Sequence, residues 1–172
     1  MPPLKTRVPL LFLLALALAV PAWGSHDCQP NTFTVTLFAG QTIDAGEVTA
    51  QVVGSQLCVT FSANSDWAIE ETHLAVGTSL AGIPQTKSGN PKPGRFPYQS
   101  LHDPAVSTYT TCIPFTFTGE DLFIAAHASL VGTPTGGHGG QQETGWADGL
   151  DFPGANWATY FVFEPVTCSP HE

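Results

Sequence analysis

The fold class this sequence predicts is all-β, a single antiparallel β-sandwich with two long loops and two disulfides. Three observations predict it. Apolar side chains recur with period two in run after run from Phe33 onward, clusters of Gly, Asn, Asp and Ser separate the runs, and no helix-period pattern of useful length follows the first two dozen residues. Short strands at close spacing with turn chemistry between them bury one face of each strand against the others. That calls for about seven to nine strands around one core.

The first element precedes the sandwich. Lys5 and Arg7 lead an apolar run from Val8 to Val20, followed by Pro21, Ala22, Trp23 and Gly24. A basic start, an apolar stretch too short for a bilayer and small residues before a cut describe a secretory signal peptide over 1–24, leaving 25–172 as one domain. The expected compartment is therefore extracellular. No second apolar run is long enough for a membrane span. The formal charge is −9, and removal of Lys5 and Arg7 takes it to about −11. Such a surface repels phosphates and anionic headgroups, so nucleic acid is excluded as a partner, while an extracellular polymer or protein remains suitable.

The strands follow in order. Val35 and Leu37 alternate with Thr34 and Thr36. Ile43-Asp44-Ala45-Gly46 reads as a turn. Val48 and Ala50 alternate with Thr49 and Gln51, and Leu57, Val59 and Phe61 with Cys58 and Thr60. Next comes Trp67 to Gly77, a strand that carries Glu70, Glu71 and His73. Strict alternation places Trp67, Ile69, Glu71 and His73 on one face, apolar at one end and ionisable at the other. This is the layout of a strand leaving a core toward a site.

From Gly82 to Val106 the prolines at 84, 91, 93, 97 and 104 predict the first long loop. Thr108–Thr118 and Asp121–Val131 read as strands, the latter projecting His127 from the face of Phe123. A second long loop is predicted from Gly132 to Asn156, and Trp157–Glu164 is the last strand. The four cysteines, in an exported chain, favour two disulfides. Cys28 with Cys168 ties the chain ends, and Cys58 with Cys112 joins two strands.

Several separated blocks are carried in order: Glu71-Thr72-His73-Leu74, Gly94-Arg95-Phe96-Pro97-Tyr98, Ile124-Ala125-Ala126-His127-Ala128, Glu143-Thr144-Gly145-Trp146-Ala147, and Phe152 to Phe161. With these the chain, from about Phe33 to Phe163, resembles a β-rich domain that recurs in secreted and surface proteins. The resemblance implies an extracellular β-rich module and carries no catalytic residue over.

Chemistry concentrates in Glu71, His73, His127 and Glu143, with His102 and Asp148 as outer members. Two imidazoles and one or two carboxylates suit zinc, and carboxylates with carbonyls from glycine-rich loops suit calcium, so a divalent cation is the cofactor these residues permit. The competing reading has the imidazoles hydrogen-bonded to Glu71 or Glu143, fixing the loops onto the core. Phe96, Tyr98, His102, Trp146 and Asp148 form the candidate ligand surface. Aromatic rings stack on sugar faces, and Phe152, Trp157 and Tyr160 lie in or near the same loops. The bland account makes Phe96 and Trp146 plugs that hold the loops down.

The expected function is that of a secreted binding or surface module whose loop end recognises a glycan or a partner protein, with or without a cation. Two alternatives stand beside it. One is a metal- or carboxylate-dependent enzyme on extracellular glycans, with Glu71 and Glu143 as acid and base, which is the minority reading because no nucleophile elbow or Ser-His-Asp signature is present. The other is a structural subunit of an extracellular filament or coat, which would make the protein an oligomer.

Overall fold

The computed structural model describes residues 27–116 and 118–169; the signal peptide expected over 1–24 lies outside the described residues. The fold is all-β, and its only helical pieces among the described residues are two short 3-10 turns, Leu80–Gly82 and Pro93–Arg95.

The strands are β1 (Asp27–Pro30), β2 (Thr32–Ala39), β3 (Ile43–Val53), β4 (Gln56–Ala63), β5 (Trp67–Gly77), β6 (Tyr98–Val106), β7 (Thr108–Pro114), β8 (Leu122–Gly132), β9 (Gln142–Ala147), β10 (Leu150–Asp151), β11 (Thr159–Phe163) and β12 (Val166–Ser169). These twelve exceed the seven to nine expected, because strands form inside both predicted loops and at the chain ends.

Two separately laddered sheets packed face to face, the mark of the expected sandwich, are not seen among the described residues. One hydrogen-bonded path runs β6-β5-β8-β9-β2-β3-β4-β7, all antiparallel, and β11 with β10 continues from the start of β8. A sandwich needs two separate ladders packed face to face. Here a single ladder curls until its end strands meet: Ser107 alone joins β6 to β7, Ser100 Oγ lies 2.6 Å from Tyr109 Oη, and the His102 and Tyr109 rings are 4.4 Å apart. The sheet is nearly a barrel, with a side-chain seam in place of a last backbone ladder. β1 and β12 pair separately as a two-stranded ribbon.

Period-two alternation fills the interior as the sequence predicts. Leu57, Val59 and Phe61 of β4, Leu122, Ile124 and Leu130 of β8, and Phe161 and Phe163 of β11 form one buried core with Trp67 and Ile69. At Asp44-Ala45-Gly46 the predicted turn is instead a kink inside β3. The Asp44 carboxylate accepts the Gly46 N–H at 2.9 Å, Gly46 has φ +134°, and the β2–β3 register shifts opposite it. A Cβ at Gly46 would collide with the Ser62 carbonyl oxygen, so this is a place only glycine fits.

The proline-rich stretch is also corrected. Its last third, Tyr98–Val106, is a strand. Pro104 is tolerated because β6 pairs only with β5, and because the ladder is interrupted there: Leu101 faces Glu71 and Val106 faces Ile69, so 102–105 stand opposite Glu70 alone. That same bulge reverses the face assignment in β5. Trp67 and Ile69 point inward, but beyond the extra residue the buried inward set is Thr72 and Leu74, and Glu71, His73 and Ala75 turn outward.

The two long excursions do not share one end. Gly77 pairs with Phe123 and Trp67 with Gly132, so 78–97 leaves one end of the barrel and 133–141 closes the other, where His138 stacks on Trp67 at 4.9 Å. The later part of the second excursion, after β9 and β10, returns to the first end. There Asn90 Oδ1 accepts the Asn156 N–H at 3.1 Å, and a Cβ on Gly154 would strike the Asn90 side chain. The two segments interlock.

Cys58 and Cys112, directly opposite on β4 and β7, form a disulfide that spans 54 residues. Closing a loop of that length in the unfolded chain is worth about 4 kcal/mol. The backbone of β1 and β12 sets Cys28 opposite Cys168; the expected bridge between them falls on side chains outside the described residues.

Candidate functional site

Outward residues of a barrel normally meet water, yet over β5, β8, β9 and β11 they form a second buried cluster. Ala75, Ala125, Trp146 and Tyr160 pack there against Ile83, Phe96, Phe152 and Ala158 from the interlocked excursions. β8 is apolar on both faces for that reason, and its single ionisable side chain, His127, is 8% exposed.

His127 is the direct cross-strand partner of His73, and of Trp146 on its other side. Neighbours opposite each other in a ladder bring their side chains into contact. The two Nδ1 atoms lie 3.1 Å apart, and His73 Nε2 lies 3.0 Å from Glu71 Oε1. A carboxylate only accepts, so His73 carries its proton on Nε2 when neutral. Between the Nδ1 atoms there is room for one N–H: a neutral pair has His127 Nδ1–H donating to the His73 Nδ1 lone pair. Burial, with a smaller contribution from neighbouring His73, pushes the His127 imidazole down to about 3. The Trp146 ring meets the His127 ring edge-to-face at 4.8 Å and is in turn edge-on to Phe96 and Phe152, each at 6.3 Å. A continuous line therefore runs from the half-exposed Glu71 through two imidazoles to a tryptophan.

The expected four-residue cluster comes together only in part. Glu71, His73 and His127 converge, but Glu143 pairs across the ladder with the core residue Leu130, on the opposite face of β9 from Trp146. Its carboxylate accepts from Gln141 Nε2 at 2.8 Å. Among the described residues no group of three or more His, Cys, Asp or Glu side chains is arranged to hold a metal ion.

The ligand candidates also divide. Phe96 is 2% exposed and fills the second cluster. Tyr98, opposite Leu74, packs on the main core. His102 contacts Tyr109 and Thr72 at the seam; burial lowers its pKa, opposed by the Glu71 charge. It borders an open groove of about 470 Å³ with Glu70, Glu71 and Asp103. Trp146 and Asp148 do meet, in a second cleft of about 240 Å³ lined by Phe38, Gln41, Trp146, Asp148, Asp151 and Trp157. Trp146 is only 6% exposed and serves as a wall, whereas Trp157 is half-buried and the two aspartates are exposed.

The chain matches no family model, no curated protein and no solved structure. Its site is thus defined by its own geometry. Of the cleft residues, Phe38, Gln41 and Asp151 escaped the sequence reading. Phe38 had one available signal, an aromatic ring at the outward position of a strand whose other outward residues are threonines. Asp151 had another, its three-residue spacing from Asp148 in a glycine-containing turn.

Proposed function

We propose that this chain is an exported binding module that holds a glycan in the cleft beside Trp146. The supporting observation is the lining of that cleft: aromatic rings of Phe38, Trp146 and Trp157 stand next to Gln41, Asp148 and Asp151. Pyranose rings present an apolar C–H face and a rim of hydroxyls, so they suit a site with flat apolar walls and a few polar groups at its edge. The volume of about 240 Å³ suits one sugar unit of a longer polymer. Trp146 is held from behind by His127, Phe96 and Phe152, so little side-chain freedom is lost on binding.

Export fits the rest of the molecule. The Cys58–Cys112 disulfide is chemistry of an oxidising compartment. The second bridge, Cys28 to Cys168, belongs to the same reading, since the β1–β12 register sets these positions opposite each other. No helix among the described residues is long and apolar enough to cross a membrane.

Titration of the secreted protein against soluble oligosaccharides tests the reading. At least one sugar class should bind, Trp157→Ala should weaken it about tenfold, the loss of roughly 1–1.5 kcal/mol of aromatic contact, and no reducing ends should be released. Absence of binding across neutral, basic and acidic oligosaccharides would remove glycan recognition as the function.

A further inference from the structure

The cleft has a feature that sugar stacking alone does not require. Asp148 and Asp151 project at its rim, both exposed, and neither is ion-paired among the described residues. Asp148 Oδ1 accepts the Gly149 N–H at 2.9 Å, which holds the carboxylate at the cleft mouth and leaves its other oxygen free of that bond. The basic residues of the first excursion, Lys87, Lys92 and Arg95, do not line the cleft. Beside these carboxylates stand three aromatic rings, Phe38, Trp146 and Trp157.

Aromatic faces together with carboxylates make a site for an organic cation. The negative face of an indole attracts an ammonium group within about 6 Å of its centroid, and a carboxylate supplies the full opposite charge. A uronate or sulfated sugar would instead meet two like charges. A neutral sugar would use the rings and bring the carboxylates hydroxyl donors but no opposite charge.

Resting on the glycan-binding reading above, we infer that the sugar taken by this cleft is an amino sugar with a free, protonated amine. Its ring packs on Trp157 and its ammonium group sits between the Asp148 and Asp151 carboxylates. The backbone supports this placement. Gly149, between the two aspartates, passes so close to Tyr160 that a Cβ would strike its carbonyl oxygen, and β10 pairs Asp151 with Thr159. The turn that carries both aspartates is therefore clamped to β11, and Thr159 Oγ1 fastens it again by donating to the Ala147 carbonyl at 2.7 Å.

Calorimetric titration of the whole secreted chain with three probes tests this: a chitosan oligosaccharide with free amines, its fully N-acetylated counterpart, and an oligogalacturonate. The free-amine probe should bind about tenfold more tightly than the N-acetylated one, with an advantage that shrinks as salt rises, and the galacturonate should be weakest. Asp148→Asn and Asp151→Asn should each cost the free-amine probe about threefold. Together they should erase its advantage over the N-acetylated probe, with the circular dichroism spectrum unaltered. Equal, Trp157-dependent binding of the amine and N-acetyl probes overturns the ammonium site and leaves glycan recognition standing, as does an amine preference that survives the double substitution. Failure of every sugar to bind, including the case where a lysine homopolymer binds in their place, overturns both.

Discussion

At the scale of single residues, His127 has the sharpest consequence. In the unfolded chain its imidazole titrates near 6.5, and in the fold it is held down to about 3. Between those values the unfolded state binds the extra proton and the native state does not, so native stability falls as the pH drops from 6.5 and levels off below 3. The slope approaches about 1.4 kcal/mol per pH unit. Urea midpoints at pH 7, 5 and 4 should therefore fall more steeply for the natural chain than for His127→Gln, whose amide can still bond His73 but does not titrate. Parallel curves would show that the ring is not kept neutral by its surroundings. The residue types of this cluster were legible in the sequence: Glu71, His73, His127 and Trp146 could all be singled out. Glu143, expected beside them, was misleading because its segment reads as a loop: once Gln142–Ala147 is a strand, the three-residue spacing from Trp146 puts Glu143 on the other face, opposite Leu130.

At the scale of elements, alternation served well wherever one face of a strand meets the core and the other meets water. In β4 it puts Leu57, Val59 and Phe61 in the core, and on the other face it sets Cys58 where it bridges to Cys112. It failed in β5, where one extra residue between Ile69 and Glu71 exchanges the faces, and the sequence carries no glycine or proline there to mark the bulge. It failed again in β6, where prolines suggested a loop although an edge strand can accommodate them. The Cys58–Cys112 element offers a stability test of its own. Converting both cysteines to serine should lower the unfolding free energy by about 4 kcal/mol, since the bridge spans 54 residues and joins adjacent strands already in register. Chemical denaturation of the two forms under identical conditions measures this. A loss under about 1 kcal/mol would mean that the β4–β7 ladder already constrains the unfolded ensemble.

At the scale of the whole molecule, the near-barrel is unevenly secured. β8 has ladder partners on both edges, β5 along one side and β9 with β11 along the other, and is covered on both faces by the two buried clusters. β6 and β7 each have one ladder partner, and between them stand the Ser100–Tyr109 hydrogen bond and the His102–Tyr109 contact. A sandwich would expose edges on two sheets; this arrangement concentrates the weakness at one seam, far around the barrel from the β9–β2 pairing that carries Trp146 opposite Phe38. Native-state hydrogen exchange should accordingly find the slowest amides in β8 and in the β5 residues facing it, and the fastest strand amides in β6 and β7. Tyr109→Phe, which deletes the seam's hydroxyl, should speed exchange in β6 and β7 while leaving β8 as it was. If the substitution instead quickened exchange uniformly across all strands, the seam would not be an independent opening unit, and the barrel and the cleft it carries would unfold as one.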